Sequence, residues 1–225
     1  MAATAARSIA PHSKKRKILD GAMQAFLSDG YAGTSMDRVA AIAGVSKATV
    51  YSHFQSKESL FAALVDELAH QKFPQMFDET LLSADPTHFL RHLATLFVFG
   101  VGRDQEHMAF IRLIMAESGR FPELSTVFIR NFAQPGCEAL RSYFMAHPEL
   151  GIRDPEAAAR VFIGALAHFN ISQEMLGGKA LIPIDPQRII DTLLAMILPP
   201  PTHPIEPSSP IEQPTSETDP GDGSR

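Results

Sequence analysis

Residues 34–54 read TSMDRVAAIAGVSKATVYSHF, and this stretch decides the fold. Apolar residues recur at helical spacing on both sides of Gly44, and Ser46 stands where it can cap a second helix. Glycine tolerates the positive φ of a tight turn, and the small alanines before Gly44 allow two helices to approach. The stretch therefore predicts a helix-turn-helix, whose second helix is the one that enters a DNA major groove.

The second predicted helix carries side chains suited to DNA. Lys47 stands at its N-terminal end, where side chains reach base edges, and lysine can donate to O6 and N7 of guanine. Thr49, Tyr51 and His53 offer hydrogen-bond donors for phosphates. Lys57 adds a cation at the start of the following helix, whose N-terminus itself favours phosphate.

The charge distribution supports a local DNA-binding surface. The chain has a net charge of −5, but residues 1–57 hold eight Lys/Arg against three Asp/Glu, and residues 58–225 hold twelve against twenty-two. A basic head on an acidic body indicates one surface for a polyanion. The alternative, a helical hairpin with a purely structural role, does not account for this split.

The rest of the chain also shows helical periodicity, with no convincing strand. We predict an all-α fold of about nine helices, in which Pro135-Gly136 kinks or breaks the helix over 122–147. The predicted organisation is a disordered arm (1–12), a helix-turn-helix DNA-binding domain (13–60), a ligand-binding and dimerisation domain (61–198) and a Pro-rich disordered tail (199–225). The basic run over 14–17 is either a solvated face or a phosphate contact.

Composition excludes several other classes of protein. Cys137 is the only cysteine, so no intramolecular disulfide is possible. It is interpreted as a small buried hydrophobe, with redox sensing as the alternative. Residues 1–17 do not form a signal peptide, and no uncharged stretch reaches the roughly 20 apolar residues of a membrane span. We therefore expect a cytoplasmic protein with no membrane partner.

Residues 18–64 resemble the DNA-binding domain of the TetR family of bacterial regulators. The residues that carry the resemblance are Ile18, Leu19, Ala22, Phe26, Gly30, Tyr31, Thr34, Ser35, Met36, Val39, Ala40, Ala43, Gly44, Val45, Ser46, Thr49, Val50, Tyr51, His53, Phe54, Ser56, Lys57, Glu58, Ser59 and Leu60. More loosely, residues 112–124 (RLIMAESGRFPEL) are similar to the ligand domain of the multidrug-efflux and AefR-like regulators.

The resemblance implies roles for individual residues in DNA binding. Lys47 and Ala48 would face bases, with Ser52 as a further candidate, while phosphates would be held by Thr34 or Ser35 and by Thr49, Tyr51, His53 and Lys57. The complete predicted DNA-binding set is Thr34, Ser35, Ser46, Lys47, Ala48, Thr49, Tyr51, Ser52, His53 and Lys57.

By the same resemblance, the middle helices would enclose an effector pocket and the last two would form a four-helix bundle with a second subunit. The predicted pocket residues are Phe97, His107, Phe110, Ile114, Met115, Phe132, His168, Phe169 and Gln173, for which ordinary core is the alternative. Asn170 is a further candidate for a polar contact, beside His107, His168 and Gln173. The predicted dimer face comprises Val161, Phe162, Ala165, Ile190, Leu193, Leu194 and Ile197. These residues belong to an apolar stripe on each of the last two predicted helices, and the two stripes together are wider than one neighbouring helix can cover.

We therefore expect a homodimeric regulator that binds double-stranded DNA and responds to a small-molecule effector. The resemblance implies a repressor released from a palindromic operator by a small apolar or amphipathic molecule. No catalytic constellation is present, so we expect neither an enzyme nor a cofactor. His88 and His92, four residues apart, are too few ligands for a metal site. The alternatives are a helical small-molecule-binding protein or enzyme with a vestigial head, and a DNA-organising protein without an effector.

Overall fold

The computed structural model describes residues 13–199, in which all regular secondary structure is helical, without strands. The prediction of an all-α fold is confirmed. The predicted arm over 1–12, and the predicted tail beyond residue 199, lie outside the described residues. The α-helical segments are α1 (Lys14–Gly33), α2 (Met36–Ala43), α3 (Lys47–His53), α4 (Lys57–Met76), α5 (Glu79–Leu82), α6 (Pro86–Thr95), α7 (Gln105–Glu117), α8 (Pro122–Phe128), α9 (Gln134–Ala146), α10 (Pro155–Asn170) and α11 (Pro186–Ile197).

Helices α1, α2 and α3 pack into the head, which we define as residues 13–60. Ile18, Ala22 and Phe26 of α1 are completely buried, as their helical spacing predicts. Gly21 lies on the same helix, and a Cβ atom placed there would approach the Cβ of Ala43 to 2.9 Å. Only glycine therefore allows α1 and α2 to pack this closely, a requirement that the sequence pattern did not reveal.

Local capping explains where the short helices begin and end. The Ser35 hydroxyl accepts a hydrogen bond from the Arg38 amide at the start of α2, and Gly44 ends that helix with φ 64°. The Ser46 hydroxyl accepts from the Thr49 amide at the start of α3. Side-chain oxygens at these positions satisfy amides that a helix start leaves unpaired, so the predicted turn and caps follow from local chemistry.

Three helices of the body, residues 61–198, continue into π-helical segments. They are π1 (Leu96–Val101) after α6, π2 (Ile129–Ala133) after α8 and π3 (Ile171–Met175) after α10. Pro135 does not break its helix, because α8, π2 and α9 follow one another without interruption over 122–146. Proline lacks an amide hydrogen, and its ring crowds the carbonyl one turn earlier. The wider π-helical turn of π2, directly before α9, accommodates Pro135 within the continuous helix.

The buried side chains form two clusters. The head core combines α1–α4 with Phe110 and Ile114 of α7 and with Leu124 of α8. The body core combines α6, α9, α10 and α11. Elements of the body thus complete the core of the head, and the boundary predicted after residue 60 falls within α4 and stays a prediction. Within residues 13–199, no helix has the length and apolarity needed to cross a membrane.

Candidate DNA-binding surface and effector pocket

Helix α3 projects from the head and buries only Val50 of its own residues. Its large aromatic side chain, Tyr51, remains 44% exposed. Of the predicted DNA-binding set, the structure leaves exposed Ser35, Ser46, Lys47, Ala48, Tyr51, Ser52 and His53, with Thr49 and Lys57 half-buried. These exposed side chains suit a helix that enters the major groove.

Lys47 forms an ion pair with Asp37 of α2. Its Nζ lies 2.8 Å from Oδ1 of that carboxylate, and the hydrogen bond and negative charge of Asp37 raise the pKa of Lys47. Both side chains are largely exposed, so water screens the pair and it adds little to stability. The pair holds the Lys47 ammonium against the Asp37 carboxylate of α2.

Two residues predicted to hold phosphates make hydrogen bonds within the protein. Thr34 is buried, and its hydroxyl donates to the carbonyls of Gly30 at 2.7 Å and Ala25 at 3.1 Å. Its hydroxyl is therefore not available to DNA. Of the two residues predicted as alternatives for one phosphate contact, Thr34 and Ser35, only Ser35 is exposed. The Lys57 Nζ donates to the carbonyls of Tyr31 at 2.7 Å and Thr34 at 3.1 Å. Lys57 thus braces the turn between α1 and α2.

A cavity of about 330 Å³ lies within the body, next to the head. This volume lies in the range of pockets that bind small molecules. It is lined by Met76, Phe97, Val101, His107, Met108, Ile111, Ile114, Met115, Ser118, Ser125, Phe128, Ile129, Phe132, Ala167, Asn170 and Ile171. An adjoining apolar cavity of about 160 Å³ shares five of these residues, Met76, Phe97, Phe128, Phe132 and Ala167. We refer to the larger cavity as the effector pocket.

The structure brings together five of the nine predicted pocket residues: Phe97, His107, Ile114, Met115 and Phe132. The other four lie elsewhere. Phe110 packs in the head core, with its ring centroid 5.2 Å from that of Phe61. Phe169 packs in the body core, His168 is exposed, and the buried Gln173 donates to the Ile182 carbonyl at 3.2 Å.

Helix rotation explains these corrections. On α10, Ala167 and Asn170 face the pocket, so the intervening positions 168 and 169 point elsewhere. Sequence reasoning identified the apolar character of the segment but not which face borders the cavity. The lining residues Met76, Met108 and Phe128 were missed because their helical spacing is the same as that of ordinary core residues.

His107 is the most perturbed titratable group of the pocket. It is 3% exposed, and its Nδ1 has no hydrogen-bond partner among the described residues. Burial lowers its pKa from 6.5 to about 4, with a further contribution from the Lys72 cation that Asp104 opposes. The imidazole is therefore neutral at pH 7.

Stability should depend on pH through His107. Because the folded-state pKa is lowered, the unfolded chain binds a proton on this residue that the folded chain does not bind between pH 6.5 and about 4. The free energy of unfolding of the wild type, relative to that of His107→Phe, should fall by about 3 kcal/mol as the pH is lowered from 7 to 4. Urea unfolding of both proteins at several pH values measures this difference. A constant difference would contradict a buried neutral imidazole.

The structure corrects the predicted dimer face. Phe162, Ile190, Leu193 and Leu194 are buried within the body core, so they hold α10 and α11 against their own chain. Ala165 and Ile197 are half-buried. On the outer sides of these helices, Val161 is 64% exposed and Met196 is 79% exposed. The sequence pattern merged the inner and outer sides into one face, because both are apolar.

The predicted histidine pair lies on α6, where His88 is exposed and His92 half-buried. In the described part of the chain, no group of three or more His, Cys, Asp or Glu side chains could hold a metal ion. Cys137 is half-buried, and burial raises the pKa of its thiol.

Comparison with known proteins agrees with the geometry. Residues 18–64 match the family described as bacterial regulatory proteins, tetR family, and residues 89–199 match the AefR-like transcriptional repressor C-terminal domain. The uncharacterized HTH-type transcriptional regulator YhgD of Bacillus subtilis is 29% identical over 157 residues, which are 67% of this chain and 78% of YhgD.

Solved structures match over most of the chain. A putative TetR-family transcriptional regulator from Mesorhizobium loti has a TM-score of 0.65 and 28% identity, covering 81% of this chain and 96% of that one. The flavonoid-responsive regulator FrrA has a TM-score of 0.57 and 28% identity, covering 83% of this chain and 97% of that one.

The exposed recognition helix and the apolar pocket define a ligand-responsive, DNA-binding regulator of transcription. The chain belongs to the TetR family, and its C-terminal part belongs to the AefR-like group. The resemblance seen in residues 18–64 is thereby confirmed.

Proposed function

We propose that this protein is a repressor that binds a palindromic operator as a homodimer and leaves it when a small apolar or amphipathic molecule enters the effector pocket. One observation carries the proposal: α7 borders the pocket and also completes the head core. Ile114 belongs to both, and Phe110, one turn earlier, packs against Phe61 of α4. A ligand that displaces α7 therefore acts directly on the packing of the head.

A second contact joins the same two regions. The ring of Tyr31, near the end of α1, lies 5.0 Å from that of Phe121, which directly precedes α8. The Tyr31 ring also lies 5.7 Å from that of Phe61. Packed aromatic side chains transmit displacements because protein interiors have few voids. A shift of α7 and α8 would rotate the heads of a dimer away from the spacing of two half-sites, which is about 34 Å.

The coupling between effector and DNA is reciprocal. If the effector lowers operator affinity by a given factor, operator DNA lowers effector affinity by the same factor, typically about 5- to 150-fold. We place the protein in the cytoplasm, where a bacterial regulator meets its operator, and assign it no enzymatic activity. Its relatives support this assignment, since YhgD is described as a transcriptional regulator and FrrA as a flavonoid-responsive one.

Operator binding tests the proposal. The wild-type protein should bind a fluorescent fragment of its own upstream region tightly in the presence of competitor DNA, with a steep dependence on salt. Replacing Lys47 with Ala should weaken binding roughly ten-fold to a hundred-fold and relax base preference. If Lys47→Ala binds as tightly and selectively as the wild type, the recognition residue lies elsewhere.

Asp37→Asn is the counterpart of Lys47→Ala and should strengthen operator binding rather than weaken it. It releases the Lys47 ammonium and removes a negative charge from the surface that meets DNA. Operator affinity at low salt should rise by about two- to five-fold. Glu149→Gln, an exposed substitution in the body with the same change in net charge, should leave affinity unchanged. Equal effects of the two variants would point to net charge alone.

A competing reading is a binding protein or enzyme whose head no longer recognises DNA. Weak binding that competitor DNA abolishes for every upstream fragment would favour it. The described pocket does not support an enzyme, because it holds no nucleophile that is hydrogen-bonded to a general base. Its polar lining residues are Ser118, Ser125, His107 and Asn170, and no hydrogen bond joins them.

A further inference from the structure

The effector pocket has no charged lining. Its sixteen lining residues include no Lys, Arg, Asp or Glu, and twelve of them are apolar. An ionised group that left water for this pocket would find no opposite charge at its walls. Because an unpaired buried charge is strongly unfavourable, the lining selects against carboxylates, phosphates and ammonium groups.

Two of the polar lining residues are buried and have unpaired atoms. The Asn170 Nδ2 donates to the Phe97 carbonyl at 3.0 Å, which fixes the orientation of the amide and leaves Oδ1 as an acceptor. Neither this Oδ1 nor the Nδ1 of His107 has a hydrogen-bond partner among the described residues. Both side chains are only 3% exposed. A ligand that supplies these hydrogen bonds gains affinity from them, since buried polar atoms are unfavourable without partners.

The backbone around the pocket is built to hold this arrangement. All three π-helical segments contribute lining residues: Phe97 and Val101 from π1, Ile129 and Phe132 from π2, and Ile171 from π3. Such π-helical turns occur frequently at functional sites.

Gly102, which follows π1, makes room for the Asn170 amide. A Cβ at residue 102 would lie 2.3 Å from the Asn170 Oδ1. The amide is therefore held at a position that only glycine permits.

We infer that the effector is an uncharged, mainly apolar molecule that carries a hydroxyl group, which hydrogen-bonds to His107 in the lining of the pocket. A hydroxyl both donates and accepts, so it pairs with either tautomer of a neutral imidazole, and the amide of Asn170 is a second polar group of the lining. The inference rests on the proposed function and narrows its effector to one chemical class.

Three probes of matched size test the class. They are 2-naphthol, 2-methylnaphthalene and 2-naphthoate, titrated at pH 7 into the full-length protein by calorimetry. We expect 2-naphthol to bind about five-fold more tightly than 2-methylnaphthalene, the increment of a single neutral hydrogen bond. The anionic 2-naphthoate should bind roughly ten-fold or more weakly than 2-naphthol.

The variant His107→Phe keeps a ring of similar size and removes the polar atoms. It should bind 2-methylnaphthalene as the wild type does and lose most of the preference for 2-naphthol. His168→Phe, on the exposed side of α10, is the matched control and should change neither affinity. Because the comparison is a ratio of two ligands on one folded protein, a general loss of stability does not imitate the expected result.

Three outcomes would overturn the inference: 2-naphthoate binding as tightly as 2-naphthol, an unchanged preference in His107→Phe, or no measurable binding of 2-naphthol. The proposed function is tested separately by operator binding of the protein without probes. If 2-naphthoate both binds and releases the operator, the effector class is wrong and the proposed function stands. If the protein binds no operator while the preference for 2-naphthol holds, the proposed function is wrong and the inferred class of ligand stands.

Discussion

Replacing Phe110 with Ala should lower the free energy of unfolding by about 3–5 kcal/mol and uncouple the effector pocket from the head. Phe110 is completely buried, belongs to the head core although it lies on α7, and packs against Phe61. Its removal leaves a cavity at the junction through which we propose that displacement of α7 reaches the head. The effector should therefore release the operator less effectively from this variant than from the wild type.

Urea unfolding measures the first effect, and operator affinity with and without 2-naphthol measures the second. The matched control is Phe144→Ala, which removes an equally buried ring of the body core that borders neither cavity. It should lower stability to a similar extent and leave the ratio of the two operator affinities unchanged. An unchanged ratio in Phe110→Ala would show that the coupling takes another route.

Replacing Val161 with Asp should convert the proposed dimer to monomers and weaken operator binding by several orders of magnitude, because a monomer holds only one half-site. Val161 is 64% exposed on α10, so the protomer should remain folded. Sedimentation gives the oligomeric state and circular dichroism the helical content. Met196→Asp on α11 should act in the same direction, since Met196 is 79% exposed.

Leu193→Asp distinguishes the effect of a core substitution from that of a substitution in the dimer interface. This side chain is buried against its own chain, so a carboxylate there lacks a partner and should destabilise the protomer by about 4 kcal/mol or more. Met145→Asp replaces an exposed methionine of α9 and should leave both fold and dimer intact. If Val161→Asp stays dimeric, the interface lies on another surface, such as the exposed apolar side chains of Leu181 and Ile182.

The effector pocket could be predicted from the sequence only in part. Its apolar composition and His107 were predicted, since five of the nine predicted residues line it. Asn170 was only one of several polar candidates, since nothing in its neighbourhood indicates that its amide meets the Phe97 carbonyl, 73 residues earlier. The π-helical segments that border the pocket have no periodicity distinct from that of an α-helix over five or six residues.

The sequence by itself determined the helix-turn-helix, because its signals are local. Gly44 at the turn, the caps at Ser35 and Ser46 and the exposed face of α3 depend on residues within one or two helical turns. Only the tertiary structure decided which apolar side chains form the core, the pocket or an outer face, and that Thr34 and Lys57 brace a turn. The physical reason is that burial and hydrogen-bond pairing between distant segments depend on how helices rotate against one another, and an apolar stripe is compatible with several rotations.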